Sequence, residues 1–231
     1  MKKRKLLHYF SPFEAVLLLS SYTLLLVSFF IFGGNGVVSL IASMIGITAL
    51  VFCAKGNPTG QVLIIIFSAM YAYVSISLRY YGEAITYLGM SAPMALWALV
   101  SWLRNYDKEK AEVKVGKLGR GEIFFLIPLT AAVTFAFYFI LGAFGTANLL
   151  PSTVSVATSF FAVYLTARRS PYFALAYTLN DIVLIVLWSM AIPKDIGCVS
   201  VVICFCVFLF SDLYSFSCWN RRKKKQLAQA S

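Results

Sequence analysis

Asn180 and Asp181 stand side by side in YTLNDIVLIVLW, residues 177–188, an apolar run that contains no basic residue. A carboxylate in hydrocarbon costs on the order of 3 kcal/mol even on the lenient insertion scale, so an acid placed there is a functional candidate. Helical spacing puts Ala174, Tyr177, Asp181, Leu184 and Trp188 along one face, with Asn180 beside it. An acid with aromatic rings at i−4 and i+7 and an amide alongside suits a cation with a flat aromatic body. The rings attract such a cation by roughly 0.5–2 kcal/mol. The carboxylate supplies charge or accepts hydroxyl groups, and the Asn180 amide pairs with amides or hydroxyls. The competing reading of both residues is a structural polar contact between helices.

Other polar positions repeat the theme more weakly. Gln61, Ser68, Tyr71 and Ser75 form one face of the run 58–80, with Tyr73 on another side. Gln61 lies near the end of that run and equally suits a headgroup contact. Asp212 shares a face with Phe205, Phe208, Ser215 and Trp219; it reads as a second substrate contact, a gate, or an interfacial acid. Ser39, Ser43, Ser152, Thr153, Ser155, Thr158 and Ser159 are individually weak, because hydroxyls in apolar helices usually bond backbone carbonyls. The candidate substrate-binding set is therefore Asp181, Asn180, Tyr177, Trp188, Gln61, Ser68, Tyr71 and Asp212.

The same inventory excludes several functions. Cys53, Cys198, Cys204, Cys206 and Cys218 have no metal or redox spacing, and the lone histidine, His8, is in the N-terminal segment. No metal site and no cofactor are expected. An enzyme would need a nucleophile with its base, or clustered His and acids, at one depth; Asp181 and Asp212 sit in different runs with no histidine to join them. No nucleotide-binding loop is present, so ATP does not drive the protein directly.

These residues must be positioned by membrane helices. The chain is 60% hydrophobic and only 13% charged, against about 25% charged in a soluble domain. Its apolar residues form eight stretches, about 13–33, 36–54, 58–80, 83–103, 121–144, 149–167, 171–191 and 195–219, each long enough to cross roughly 30 Å of hydrocarbon as helix. The first is a span and not a signal peptide: it is long, lacks a small-residue cleavage pattern, and runs through GGNG into the next. Proline should kink the fourth span at Pro93 and the fifth at Pro128. With both termini in the cytoplasm, eighteen of the 20 Lys and Arg residues fall on the inner side, and only Arg79 and Lys194 on the outer. The +11 net charge is thus a topology and lipid-headgroup device rather than a nucleic-acid site. The expected location is the cell membrane, multi-pass.

Residues 39–58 and 152–171 align at an offset of 113, matching Ser39 with Ser152, Ala49 with Ala162, Ala54 with Ala167, Lys55 with Arg168 and Pro58 with Pro171. WLRN at 102–105 and WNRR at 219–222 close the two units alike. The expected architecture is all-α and polytopic: eight transmembrane helices, with two parallel three-helix bundles joined by a linker helix. Its parts are an N-terminal segment and extra helix (1–35), bundle one (36–105), a cytoplasmic loop and linker helix (106–148), bundle two (149–219) and a basic tail (220–231). Such a plan places a small-molecule site at the bundle interface. At the same offset Ser68 stands opposite Asp181 and Ser75 opposite Trp188.

YYGEAITYLGMSAPMALWALVSWLRN (80–105), TANLLPSTVSVATSFFAVYLTARRSPYFALAYTLNDIVLIVLW (146–188) and the tail through Trp219 resemble the PnuC family of vitamin B3 transporters, in particular its Firmicute-type branch. The resemblance implies a full-length SWEET-like fold with an extra N-terminal helix. It implies facilitated uptake of nicotinamide riboside, trapped afterwards by intracellular phosphorylation, and a homotrimer. Many family members carry Trp-x-x-Trp followed four residues later by Asn or Asp in the penultimate span. Here the acid position is Asp181, and the two Trp positions read Ala174 and Tyr177. That departure keeps a different vitamin or nucleoside, such as thiamine or a deoxynucleoside, as the alternative substrate, and a proton-coupled version also stays open.

The charge bias makes a direct prediction. A membrane-impermeant thiol reagent applied from outside should label a cysteine placed at residues 146–148 and miss one placed beside Lys114; the reverse pattern overturns the eight-span topology.

Overall fold

The computed structural model describes residues 9–33, 36–77, 81–146 and 148–229. His8, the N-terminal KKRK, Arg79 and the middle of GGNG lie outside the described residues. Helix α1 (Pro12–Phe32) starts at Ser11, whose hydroxyl accepts from the Glu14 N–H while the Glu14 carboxylate accepts from the Ser11 N–H, the reciprocal capping arrangement that fixes a helix start. It is followed by α2 (Gly36–Ala54), α3 (Thr59–Ser77) and α4 (Tyr81–Thr86). A π-helical turn (Tyr87–Ser91) leads into α5 (Ala92–Arg104), and then come α6 (Arg120–Ala143), α7 (Leu149–Ala167), α8 (Phe173–Ser189) and α9 (Cys198–Ala228).

Seven of these segments, with α4, the π turn and α5 counted as one, are long and apolar enough to cross a membrane. The eighth, α8, has 17 residues, roughly 25 Å at 1.5 Å per residue. The expected run 171–191 is trimmed at both ends: Pro171 and Tyr172 form the entry turn, and residues 190–194 are turn rather than helix. At Pro93, where a kink is expected, the structure has a π turn. The proline has no N–H to offer the preceding turn, and the backbone widens just before it. Pro128 lies inside an uninterrupted α6. The basic tail does not end the last helix, which continues to Ala228.

Helix α2 packs on α3 and α3 on α5; in the second half α7 packs on α8 and α8 on α9. The two groups meet through α9 against α2 and α5 against α7. Helix α1 lies on α2 and α9, and α6 lies on α7. The outer face of α6 is bare, with Phe124, Phe125, Phe135 and Phe139 exposed; such a face belongs in hydrocarbon.

One end of the bundle is tied together by hydrogen bonds that cross between the groups. The Trp102 indole N–H donates to the Thr166 carbonyl at 2.8 Å, and the Trp219 indole N–H donates to the Cys53 carbonyl at 2.8 Å. Cys53 and Thr166 are 113 residues apart. Both indoles are fully buried, with ring centroids 5.3 Å apart. The turns after α2 and α7 share one backbone form. Gly56 and Arg169 both take positive φ, 65° and 56°. Their N–H groups reach back to the Cys53 and Thr166 carbonyls, and those of Asn57 and Ser170 reach the Phe52 and Leu165 carbonyls, the helix-ending pattern of a left-handed cap.

The connection 105–119, part of the expected loop, carries a short antiparallel hairpin, β1 (Tyr106–Asp107) with β2 (Glu112–Val113). It bridges both turns: the Val113 N–H donates to the Gly56 carbonyl and the Gly116 N–H to the Arg169 carbonyl, each at 3.0 Å. Arg222 seals this end. It stacks over Trp219 at 4.8 Å, pairs with Glu112 at 2.8 Å and donates to the Ala54 carbonyl. Lys55–Glu14 at 2.9 Å and Arg168–Glu122 complete the ion pairs there.

Trp219→Phe keeps an aromatic ring and deletes the N–H. The Cys53 carbonyl loses one of its two donors and keeps the Gly56 N–H, so the change removes one crossing hydrogen bond, worth about 0.5–1.5 kcal/mol, and part of the ring's packing. The melting temperature in detergent should fall by several degrees, and Trp102→Phe should act alike through Thr166; unchanged melting in both would mean that the crossing bonds do not stabilise the bundle.

Candidate functional site

A cavity of about 160 Å³ lies between the two groups and is lined from both. Phe173, Thr166 and Cys53 line it toward the crossed indoles, with Phe173 edge-on to Trp219 at 5.1 Å between ring centroids. Each polar wall residue is there because its helix must bury one face. In α8, Tyr177, Asp181, Leu184 and Trp188 line the cavity as the spacing predicts, and Asn180 joins them. Gln61 and Ser68 reach it from α3, and Asp212 from α9.

Tyr71 does not line this cavity. Its hydroxyl is 2.9 Å from that of Ser43, and its ring packs on Phe67 and Tyr87. It stands one layer behind the wall, because α3 turns Ser68 to the cavity and Tyr71 toward α2. Gln61 is buried, and its side-chain N–H donates to Cys53 Sγ at 3.3 Å; it is a cavity residue and not a headgroup contact.

The chemistry is concentrated in three features. Asp181 and Asp212 are 3% and 2% exposed, and their carboxyl groups face each other within hydrogen-bonding reach. One oxygen of each, Asp181 Oδ2 and Asp212 Oδ1, is buried without a protein partner. Such oxygens are costly to leave unmatched. The Asn180 side-chain oxygen accepts from Thr158 at 2.8 Å and Ser159 at 2.9 Å, which fixes the amide and leaves its NH₂ group as the donor with capacity to spend. The Ser68 hydroxyl is buried and unpartnered as well. Aromatic rings of Phe67, Tyr87, Phe173, Tyr177, Trp188, Phe205 and Phe208 share the remaining wall with aliphatic side chains such as Leu50, Ile64 and Leu184.

Sequence reasoning missed Glu83, Thr86, Tyr87 and Ser91, which line the cavity from α4 and the π turn, and Thr146 beyond α6. GEAITY carries its acid and ring at i and i+4, a signal the chain did display. Glu83 lies near the expected end of an apolar stretch, where an acid reads as interfacial. Ser155 and Ser159, weak as sequence signals, also line the cavity. Among the described residues no group of His, Cys, Asp and Glu has metal-binding geometry, and no Lys or Arg lines the cavity.

The family model described as nicotinamide mononucleotide transporter matches residues 36–221, which is most of the chain and leaves out α1. The chain belongs to this family, that of the PnuC transporters. The nicotinamide riboside transporter PnuC of Neisseria mucosa is 26% identical over 234 residues, covering 98% of this chain and 88% of that protein. A crystal structure of the vitamin B3 transporter PnuC superposes with a TM-score of 0.80 at 24% identity, covering 96% of this chain and 97% of that one. The shared fold includes α1. This PnuC-family chain is a multi-pass membrane protein whose relatives are transporters and not enzymes. At the family's paired-Trp positions, Ala174 is fully buried in the core, while its neighbour Phe173 lines the cavity with Tyr177.

Two facing carboxyl groups in a dry cavity oppose one another whenever both are ionised. Asp212→Asn replaces that opposition with an amide that can donate to the Asp181 carboxylate. The variant's melting temperature should rise by a few degrees; a fall would mean that Asp212 holds the helices together through a contact only a carboxyl makes.

Proposed function

We propose that this chain carries nicotinamide riboside across the cell membrane by facilitated diffusion, with the cavity between the two helix groups as its site. The observation that carries the reading is the charge of that cavity: Asp181, Asp212 and Glu83 line it, and among the described residues no Lys or Arg does. A quaternary pyridinium ring fits an acidic, aromatic wall. Ribose hydroxyls fit the unpartnered Asp181 and Ser68 oxygens, and the carboxamide fits Asn180. The family is described by the mononucleotide, while the Neisseria mucosa relative is a riboside transporter. The cavity favours the riboside, because a phosphate would meet three acids and no cation.

The wider plan belongs to the same proposal. Residues 36–105 and 149–219 are read as two parallel three-helix bundles joined by α6, in a SWEET-like arrangement with α1 added. Support comes from the crossed Trp102 and Trp219 bonds to carbonyls 113 residues apart, the matching turns at Gly56 and Arg169, and the reciprocal packing of α9 on α2 and α5 on α7. Both termini are read as cytoplasmic. At the end of the bundle that carries the hairpin lie Lys55, Arg168, Arg169 and the basic turns of α9, which is the end the charge bias assigns to the cytoplasm. Phosphorylation inside the cell would trap the substrate. A homotrimer is part of the family reading, and the bare apolar face of α6 is a surface on which copies could meet.

A proton-coupled version is favoured by one observation, the shared burial of Asp181 and Asp212 in the cavity wall, since two neighbouring carboxyls oppose one another when both are ionised and a proton on one removes that opposition. Uptake into proteoliposomes with and without an imposed pH gradient separates the two mechanisms.

The substrate reading is tested by titrating purified protein with the riboside and the mononucleotide. The riboside should bind and the mononucleotide should bind at least tenfold more weakly; equal affinity overturns the site. Asp181→Asn should weaken the riboside by roughly tenfold or more, as expected for a charge-assisted contact worth about 1.5–3 kcal/mol, while thermal stability is kept or raised because a buried charge is removed. Unchanged affinity would mean that Asp181 is not the counter-charge.

A further inference from the structure

Glu83 is the one cavity acid that sits apart from the Asp181–Asp212 pair. It lies on α4 in the first helix group, while the pair belongs to the second. Gly82 lets this part of the chain approach the linker: a Cβ there would come within 2.8 Å of Leu141 and collide with the Thr146 side chain. Thr146 Oγ1 is buried, lines the same cavity and has no protein partner. The Ser75 hydroxyl is within reach of the Glu83 carboxylate. Among the described residues Glu83 forms no ion pair, whereas Glu14, Glu112 and Glu122 each have one.

The direction of the helices adds a second observation. Helix α8 begins beside the crossed indoles, so Tyr177 is one turn nearer to them than Asp181. The fourth span runs the other way, ending at Trp102, so Tyr87 is one turn nearer to the indoles than Glu83. Each helix group therefore presents an acid with a tyrosine one turn deeper, and all four residues line the cavity. Tyr87 packs on Phe67 of the cavity wall at 6.1 Å and on Tyr71 behind that wall at 5.5 Å.

We propose that Glu83 is a specificity-determining residue at the end of the cavity remote from the crossed indoles, where its carboxylate, with Tyr87 beneath it, selects aromatic cations over their neutral counterparts before they reach Asp181 and Asp212. This rests on the cavity being the substrate site. A cation entering from that end meets Glu83 and Thr146 first, and its ring can stack on Tyr87. A neutral ring of the same shape gains the stacking but not the charge contact. An anion is turned away by the same carboxylate.

The test uses two matched pairs of ligands on purified full-length protein: nicotinamide riboside against its reduced, uncharged dihydro form, and 1-methylnicotinamide against nicotinamide. Wild type should prefer the cation of each pair. Glu83→Gln should weaken both cations tenfold or more and leave the neutral ligands within about twofold, and Glu83→Asp should recover most of the loss. Melting curves of the same preparations separate binding from folding. Equal affinity of Glu83→Gln and wild type for the cations overturns the proposal. So does equal loss of cation and neutral ligand with lowered melting, which marks a structural residue. If wild type ignores both ribosides, the substrate reading fails, and the 1-methylnicotinamide pair alone decides the role of Glu83.

Discussion

The two helix groups are held in register by a pair of indole N–H bonds that cross between them. Trp102 reaches the Thr166 carbonyl and Trp219 reaches the Cys53 carbonyl. Each of these carbonyls sits near the end of its helix, where it accepts from the N–H of the left-handed turn residue, Gly56 or Arg169. An indole from the opposite group supplies its second bond and fills the space beneath the turn. Because both rings are fully buried and in contact, they form a layer between the cavity and the end that carries the hairpin. The hairpin, Arg222 and the two left-handed turns are arranged around this layer, and the cavity walls rise from it through Cys53, Thr166 and Phe173.

Electrostatics divides the molecule along the same line. At the indole end three acids have basic partners: Glu14 with Lys55, Glu112 with Arg222, Glu122 with Arg168. In the cavity Glu83, Asp181 and Asp212 have no basic partner among the described residues. Helix association in lipid gains nothing from bringing buried carboxyl groups together, since their desolvation is not offset. A cationic ligand offsets it. The unmatched oxygens of Asp181, Asp212, Ser68 and Thr146 are the groups such a ligand would complete, and the rings between them accept a flat body.

Where the resemblance to the family implies paired tryptophans, α8 carries Ala174 and Tyr177. Ala174 is buried in the core, and Phe173, about 100° around the helix from it, lines the cavity with Tyr177. Asp181, one turn beyond Tyr177, lines it too. Aromatic stacking tolerates such substitution, because any ring face of similar reach attracts a cation. A counter-charge does not, because it depends on one oxygen at one depth.

How much of this was legible in the sequence follows from the range of each interaction. Apolar stretches, the cost of an acid in hydrocarbon and the period of a helix are local, so the spans, the candidacy of Asp181 and the shared face of Tyr177, Asp181 and Trp188 could be read from neighbouring residues alone. The offset of 113 could be read as well, because matching turns need matching local residues. Which side chains meet across helices is not local. That Asp212 faces Asp181, that Thr158 and Ser159 hold the Asn180 oxygen, that Tyr71 turns away to Ser43 and that Glu83 reaches the same cavity depend on the rotation of each helix about its axis. Packing of α9 on α2 and of α5 on α7 sets that rotation, and the π turn before Pro93 shifts it for the fourth span. A residue's helix face is written in its own segment, but the partner that face meets is decided by the segments packed against it.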